Sequence, residues 1–172
     1  KAISATVIIA LITRLRQIET WPAGVISKVT YTDKVTGEEK SELVQLDVEE
    51  SQKIDYVIRH DNESGEWEGL IPNVIEDERI IVFSQFKAPL HELKKRIEAM
   101  GRTAVIMDGD TKPDIKDQIR HDFDRSKTPD RADSKWDVVL CNYKAGGVGL
   151  NFTAATSMII LDSEWNPGKR EQ

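Results

Sequence analysis

Residues 138–162 read VVLCNYKAGGVGLNFTAATSMIILD. Two short apolar runs, at 138–141 and 158–161, enclose a segment in which three glycines fall within four positions. Apolar runs of this length are typical of buried strands, and glycine leaves the backbone between them free to turn. Such a loop can turn its N–H groups outward around a phosphate or nucleotide, or it can be a tight turn that only requires positive φ. The residues alone leave both interpretations open.

Strand-like runs and amphipathic segments alternate from residue 79 onward. Two further apolar runs span residues 80–83 and 104–107, and predicted helices span 89–100 and 113–123. Each helix has one apolar stripe, formed by Leu90, Leu93 and Ile97 in the first and by Ile115, Ile119 and Phe123 in the second. This order predicts an α/β fold with a three-layer parallel sheet whose strands are covered on both faces. Ligands of such sheets bind at the carboxyl ends of the strands.

The beginning of the chain predicts a helix that is followed by an exposed hairpin or a protruding loop. Residues 3–20 place four apolar side chains on one side of a helix: Ile8, Leu11, Leu15 and Ile18. Trp21-Pro22 ends this helix, because proline cannot continue the helical ladder. Residues 29–48 contain two β-prone runs around a polar turn and resemble an insertion.

The boundary between the two parts of the chain is expected near residue 50. A second helix should begin at residues 49–51, whereas residues 62–77 are acidic and without period, which predicts a surface connection. We therefore expect a leading helix and hairpin in residues 1–50 and the main lobe in residues 51–172.

The composition bounds the class of protein. Of the 172 residues, 39% are hydrophobic and 31% are charged, with a net charge of -6, as in soluble globular proteins. An acidic chain approaches nucleic acid only through a local basic face. Cys141 is the single cysteine, which excludes an intramolecular disulfide and a cysteine-rich zinc site. The apolar run at 5–12 is too short to span a bilayer, so we expect a cytoplasmic or nuclear protein that is not secreted.

The sequence does not match two common nucleotide-binding motifs. The P-loop pattern fails because Gly168-Lys169 is followed by Arg170, and the dinucleotide fingerprint fails because Phe152 stands at the position of its third glycine. The three histidines lie far apart and do not have the spacing of a metal site. We therefore predict no catalytic residue and no metal site in this chain, which alone cannot hold a triphosphate for hydrolysis.

Polar residues follow the predicted strands. Ser84 and Gln85 end the run at 80–83, where they can be strand-end caps or ligand contacts. In MDGDT, Gly109 permits a tight turn before the helix at 113–123. The polar side of that helix carries three cations, which can track phosphates or form a solvated face: Lys112, Lys116 and Arg120.

The order of these segments resembles a known family. RIIVFSQF at 79–86, MDGDT at 107–111 and VVLCNYKAGGVGLNFTAATSMIILDSEWNP at 138–167 are similar, in sequence and spacing, to the second RecA-like lobe of the Swi/Snf-type ATPases. These ATPases are DNA translocases of helicase superfamily 2. ITRLRQIETWPAG and ESQKIDYVI are similar to helices of the same lobe. Residues 29–48 and 62–77 fall outside the resemblance.

The resemblance implies an enzyme of two lobes. The first RecA-like lobe of the same polypeptide would supply the P-loop and the acidic metal-binding motif. ATP and Mg²⁺ would therefore belong to the complete two-lobe enzyme, and neither is expected to bind tightly to this chain. Double-stranded DNA is the expected partner. The chain stops at Gln172, where the family's arginine-finger motif would begin, so we expect a truncated lobe that is inactive in isolation.

The resemblance also assigns roles to residues. The nucleotide would be faced by Gly147, Gly149 and Asn151. The DNA backbone would be contacted by Ser84, Gln85, Gly109, Thr111, Lys116, Asn142, Tyr143 and Lys144. Coupling between the two would involve Asp162, Trp165, Asn166 and Gln172. This chain departs from the family where Asn142 and Tyr143 replace a serine or threonine pair. It also departs where Lys116 replaces an arginine, which keeps the charge without the bidentate fork.

Two other functions remain open. A lobe of a strand-separating superfamily 2 helicase acting on DNA or RNA has the same architecture, although GLNFTAA and WNP favour the Swi/Snf type. A non-catalytic interaction module can also retain the fold.

Overall fold

The computed structural model describes residues 5–46, 48, 50–124, 135–145 and 151–162. The chain divides into two compact units, Lys1–Gln52 and Lys53–Gln172. The first contains a helix and a hairpin, and the second contains a parallel sheet with its helices.

The first unit begins with helix α1, Ala5–Thr20, followed by a 3-10 turn at Pro22–Gly24. Helix α1 ends where Pro22 provides no amide hydrogen for a further helical bond. The Ser51 hydroxyl donates a 2.8 Å hydrogen bond to the carbonyl oxygen of Thr20, which satisfies one carbonyl at the helix end. The predicted apolar stripe of α1 stays exposed: Ile8, Leu11, Leu15 and Ile18.

The predicted hairpin is confirmed. Strand β1, Ile26–Thr32, pairs antiparallel with β2, Glu39–Gln45. The same kind of hairpin occurs again in the second unit, where β3, Arg59–His60, pairs with β4, Trp67–Glu68.

Both hairpins use one turn chemistry. The turns are DKVTGE at 33–38 and DNESGE at 61–66. The aspartate that opens each turn accepts, through its carboxylate, a hydrogen bond from the backbone amide two residues later. The distance is 2.8 Å for Asp33 and 3.0 Å for Asp61. The glycines adopt φ of 72° and 74°, which a residue with a Cβ rarely does. The repeated D-x-x-[ST]-G-E pattern therefore specifies both turns.

The prediction of a surface connection at 62–77 was wrong. Beyond β4, the segment contains helix α3, Leu70–Val74, and it buries Ile71 and Ile75 almost completely. Helix α3 is too short to show a 3.6-residue period, which is why the pattern was missed. Gly69 precedes it at φ 120°, and a Cβ there would lie 2.7 Å from the carbonyl oxygen of Val57.

The second unit is built around one parallel sheet. It begins with the helix α2, Gln52–Val57, which spans the boundary between the units. The sheet strands are β5 Ile80–Ser84, β6 Ala104–Met107, β7 Val138–Asn142 and β8 Ser157–Ile160, in the order β6-β7-β5-β8. The connecting helices are α4 Lys87–Ala99 and α5 Pro113–Asp124. The predicted α/β fold with a parallel sheet is confirmed.

The two helices cover opposite faces of the sheet. Helix α4 contacts β5, β6 and β7 and buries its predicted stripe of Leu90, Leu93 and Ile97. Helix α5 buries Ile119 and Phe123 against Ile81 and Val139, on the other face. Because successive residues of a strand point to opposite faces, short apolar runs supply both layers of the core.

Two details of the predicted burial were wrong. Ile115 is 47% exposed, because eight residues of helix rotate it about 80° away from Phe123. Strand β8 is an edge strand of the described sheet, and its Met158 and Ile160 are 65% and 55% exposed instead of covered.

Arg79 fastens the end of α5 to the start of β5. The guanidinium is buried, donates a hydrogen bond to the carbonyl oxygen of Phe123 and lies 5.7 Å from the centre of its ring. A cation at the carboxyl end of a helix also interacts favourably with the helix dipole.

Burial in this core raises the pKa of the Cys141 thiol from 9.0 to about 12. The folded protein therefore holds the neutral thiol, while the unfolded chain ionises it above its ordinary pKa. This contribution to stability is complete below pH 9 and is lost as the pH rises toward 12.

We predict that the free energy of unfolding falls by about 2 kcal/mol more in the native chain than in Cys141→Ala between about pH 8 and pH 11. Urea titrations of both proteins at several pH values measure this difference in the free energy of unfolding. The same pH dependence in both proteins would contradict the raised pKa of Cys141.

Candidate functional site

The carboxyl ends of the four parallel strands bring most of the predicted site residues to one edge of the sheet. This C-terminal edge consists of residues 84–85 at the end of β5, 108–111 after β6, 142–145 at the end of β7 and 161–162 after β8. The residues come from distant parts of the sequence, and the parallel arrangement alone explains why they meet.

A buried carboxylate holds three of these strand ends together. The Ser84 hydroxyl donates to Asp162 Oδ2 at 2.5 Å, and the amide of Gln85 donates to Oδ1 at 2.8 Å. The Tyr143 hydroxyl donates to the backbone carbonyl oxygen of Asp162 at 2.9 Å. Asp162 is 6% exposed and Ser84 is fully buried. We name this arrangement the Asp162 clasp; it links β5, β7 and β8.

Asn142 closes the same edge from β7. Its side-chain amide nitrogen donates to the carbonyl oxygens of Ser84, at 3.1 Å, and Gln85, at 2.8 Å, while its Oδ1 accepts the amide of Lys144 at 3.1 Å. The residue is 2% exposed. The structure thus gives Ser84 and Asn142 internal hydrogen bonds, and the direct DNA contact assigned to them by resemblance stays a prediction.

The residues after β6 form the predicted tight turn. Asp108 Oδ1 accepts the amides of Asp110, at 2.9 Å, and Thr111, at 3.1 Å, and the Thr111 hydroxyl also donates to it. Gly109 is exposed, and a Cβ placed there would lie 3.7 Å from the Cβ of Lys144. The turn at 108–111, which we name the acidic turn, therefore lies directly beside the loop after β7.

One residue of this edge was not predicted as part of the site. The Lys87 ammonium, at the start of α4, lies 2.8 Å from Asp108 Oδ2 and also pairs with Asp110. Hydrogen bonding to Asp108 raises the pKa of Lys87, and hydrogen bonding to Lys87 lowers the pKa of Asp108. No sequence motif indicated this contact, because it joins residues on two different connections.

The basic side of α5 is divided between bound and exposed cations. The Lys116 ammonium donates to the carbonyl oxygen of Ala145 at 3.3 Å, and Arg120 lies 3.5 Å from Asp117. Lys112 and Lys144 are exposed. Lys116 therefore holds α5 to the loop after β7, and two hydrogens of its ammonium remain for other acceptors.

The predicted nucleotide-facing and coupling residues are described in part. Gly147, Gly149, Trp165, Asn166 and Gln172 lie outside the described residues. Asn151 is exposed, and the segment that follows it is anchored by Phe152, whose ring packs edge-on against Phe123 with centres 5.6 Å apart. The exposed Asn151 therefore directly precedes a residue that packs into the core.

In the part of the chain that the structure describes, no group of three or more histidine, cysteine, aspartate or glutamate residues could hold a metal ion. None of the helices in those ranges is long and apolar enough to cross a bilayer.

The model of one protein family, the helicase conserved C-terminal domain, matches residues 66–172. The chain belongs to this family. The match begins inside residues 62–77, so placing that whole segment outside the resemblance was wrong.

Relatives and solved structures refine this membership. The DNA repair protein RAD5B of Arabidopsis thaliana is 34% identical over 95 residues, which cover 55% of this chain and 7% of the relative. The chromatin-remodeling ATPase INO80 of Kluyveromyces lactis is 30% identical over 92 residues, which cover 54% of this chain and 6% of the relative. The SWI2/SNF2 ATPase core of Sulfolobus solfataricus in complex with dsDNA shares the fold at a TM-score of 0.61 and 20% identity, over 96% of this chain and 29% of that chain.

These findings confirm the resemblance to the second, C-terminal RecA-like lobe of Swi/Snf-type proteins. The chain spans only a small part of the length of these curated relatives.

We predict that Asp162→Ala lowers the free energy of unfolding by about 3 kcal/mol, because the Ser84 hydroxyl and the Gln85 amide lose their buried acceptor. Asp117→Ala, which removes a carboxylate whose side chain is 73% exposed, should cost less than about 0.5 kcal/mol. Denaturant titrations compare the two variants. Equal losses would show that the clasp does not stabilise this edge.

Proposed function

We propose that this chain is the C-terminal lobe of an ATP-dependent double-stranded DNA translocase, with its C-terminal edge toward the DNA backbone. The observation that carries the proposal is the meeting of Gly109, Thr111, Lys116 and Lys144 at that edge, beside the stem of the glycine loop. The family membership supports an ATPase lobe. The similarity to a DNA repair protein, to a chromatin-remodeling ATPase and to an ATPase core in complex with dsDNA supports DNA as the partner. Relatives of these kinds also favour a nuclear or cytoplasmic location.

The exposed groups of the edge suit a phosphate backbone. Lys144 presents a cation, and Gly109 beside it presents backbone without a side chain that would keep a strand away. Gln85 and Thr111 are half-buried, and each adds a polar side chain. Contacts of this type position a protein on a duplex without reading its bases. They also require only a local cationic surface, which reconciles DNA binding with a net charge of -6.

Ser84, Asn142 and Tyr143 act behind this surface. Their side chains hold the strand ends through internal hydrogen bonds, so their effect on DNA comes through the placement of Lys144 and Gln85. Tyr143 also connects the stem of the glycine loop to Asp162, and through it to the end of β5.

ATP and Mg²⁺ are proposed to bind between this lobe and a first RecA-like lobe of the same polypeptide. Bound ATP supplies the phosphoryl group whose transfer drives movement along DNA. From the described residues, Asn151 offers an exposed amide that can both donate and accept hydrogen bonds. Gly147 and Gly149 are proposed to let the backbone approach the nucleotide. Trp165, Asn166 and Gln172 are proposed to continue the coupling path from Asp162.

In the full-length protein that carries this lobe, we predict that double-stranded DNA stimulates ATP hydrolysis more than single-stranded DNA or RNA does. Asn151→Ala should reduce the DNA-stimulated turnover at least about tenfold, because a hydrogen bond to the reacting nucleotide is lost. The affinity for duplex should stay within about twofold, since Asn151 is proposed to contact the nucleotide and not the duplex. Thr153→Ala, an exposed neighbour, is the matched control.

Three outcomes would contradict the proposal. Stronger stimulation by single-stranded DNA or RNA would indicate a strand-separating helicase. Turnover without any nucleic-acid dependence would remove the DNA partner, and no turnover at all would favour a non-catalytic interaction module.

A further inference from the structure

Lys87 occupies a position where electrostatics disfavours a cation. It is the first residue of α4, at the positive end of the helix dipole, and the first turn of α4 contains no acidic residue. Its ammonium reaches across to the next connection and pairs with both Asp108 and Asp110. The ion pairs with the acidic turn therefore offset the unfavourable interaction between the Lys87 cation and the dipole of α4.

The acidic turn needs one of these carboxylates for its shape. Asp108 Oδ1 accepts hydrogen bonds from the amides of Asp110 and Thr111 and from the Thr111 hydroxyl. Only Oδ2 is directed to Lys87, at 2.8 Å. A negative charge is thus built into the turn that contains Gly109 and Thr111.

Asp110 adds a second negative charge at the surface. Its side chain is 85% exposed and stands next to Gly109, which in turn lies beside Lys144. Two unscreened carboxylates at this place would repel a phosphate backbone and weaken the attraction of Lys144.

We propose that Lys87 shields the acidic turn, so that the phosphate backbone of a duplex can approach Gly109 and Lys144. This inference rests on the proposed function of the C-terminal edge. Lys87 acts through the two aspartates and is a positioning residue of the electrostatic surface, without a phosphate contact of its own. The ion pairs are exposed, with the Lys87 side chain 46% exposed, and they contribute little to the stability of the fold.

A double-mutant cycle tests the shielding. The dissociation constant of the whole chain for a fluorescent duplex is measured for the native protein, Lys87→Met, Asp110→Asn and the double variant. Lys87→Met should weaken binding about fivefold to tenfold, and Asp110→Asn should tighten it about twofold. In the Asp110→Asn background, the loss caused by Lys87→Met should shrink by at least half, because less negative charge is uncovered.

The controls separate this inference from the proposed function. Lys95→Met removes an exposed cation from the same helix and should change the affinity less than about twofold. Lys144→Ala should weaken binding whether or not the shielding exists. Thermal unfolding midpoints of all variants should agree with that of the native chain, since every substituted side chain is at the surface.

Each other result overturns the shielding. If Lys87→Met weakens binding by the same factor in both backgrounds, Lys87 contacts phosphate directly. If Lys87→Met has no effect while Lys144→Ala does, the edge binds DNA without shielding. If neither variant changes the affinity, the edge does not face DNA, and the proposed function and the shielding fail together.

Discussion

The buried carboxylate of Asp162 is the constraint on which the C-terminal edge depends. A carboxylate removed from water must have its oxygens bonded, and here Ser84 and the Gln85 amide supply those bonds. Tyr143 adds a bond to the backbone of the same residue. The ends of β5, β7 and β8 therefore keep one relative arrangement, and the loops that leave them start from fixed points.

For the proposed DNA binding, the distribution of charge at this edge matters more than the net charge of the whole chain. Lys112 and Lys144 are exposed, whereas Lys116 and Lys87 are held by a carbonyl oxygen and by two aspartates. On the proposed function, the exposed cations attract phosphate, whereas the paired cations hold the loop after β7 and the acidic turn in place. A net charge of -6 is compatible with such a local cationic surface.

The parallel sheet was predictable because short apolar runs and one-sided helical stripes are local patterns. The exposure of Ile115 was not predictable, since it depends on how α5 is rotated over the sheet. The exposure of β8 depends on its position at the edge of the described sheet. Helix α3 was missed because its five residues are too few for a 3.6-residue period to be recognised. The D-x-x-[ST]-G-E turn repeated at 61–66 was nevertheless a usable signal for the second hairpin.

For the site, the sequence predicted which residues lie together but not which hydrogen bonds join them. Strand-end polar residues could be named from their positions, but the bonds between Ser84 and Asp162 span most of the second unit and have no local signature. The same holds for Lys87 and Asp108, which lie on separate connections. The resemblance assigned DNA contacts to Ser84 and Asn142, and the fold shows in addition that their side chains make internal hydrogen bonds.

The proposed position of the C-terminal edge against the DNA backbone can be tested by tethered DNA cleavage. Cys141 is buried with a raised pKa, so a cysteine introduced by Lys144→Cys can be labelled selectively with an iron chelate that cuts DNA nearby. Lys95→Cys, on the exposed side of α4, is the matched control. We predict duplex cleavage from position 144 and none above background from position 95. Equal cleavage from both positions, or none from position 144 in a protein that binds the duplex, would contradict the claim.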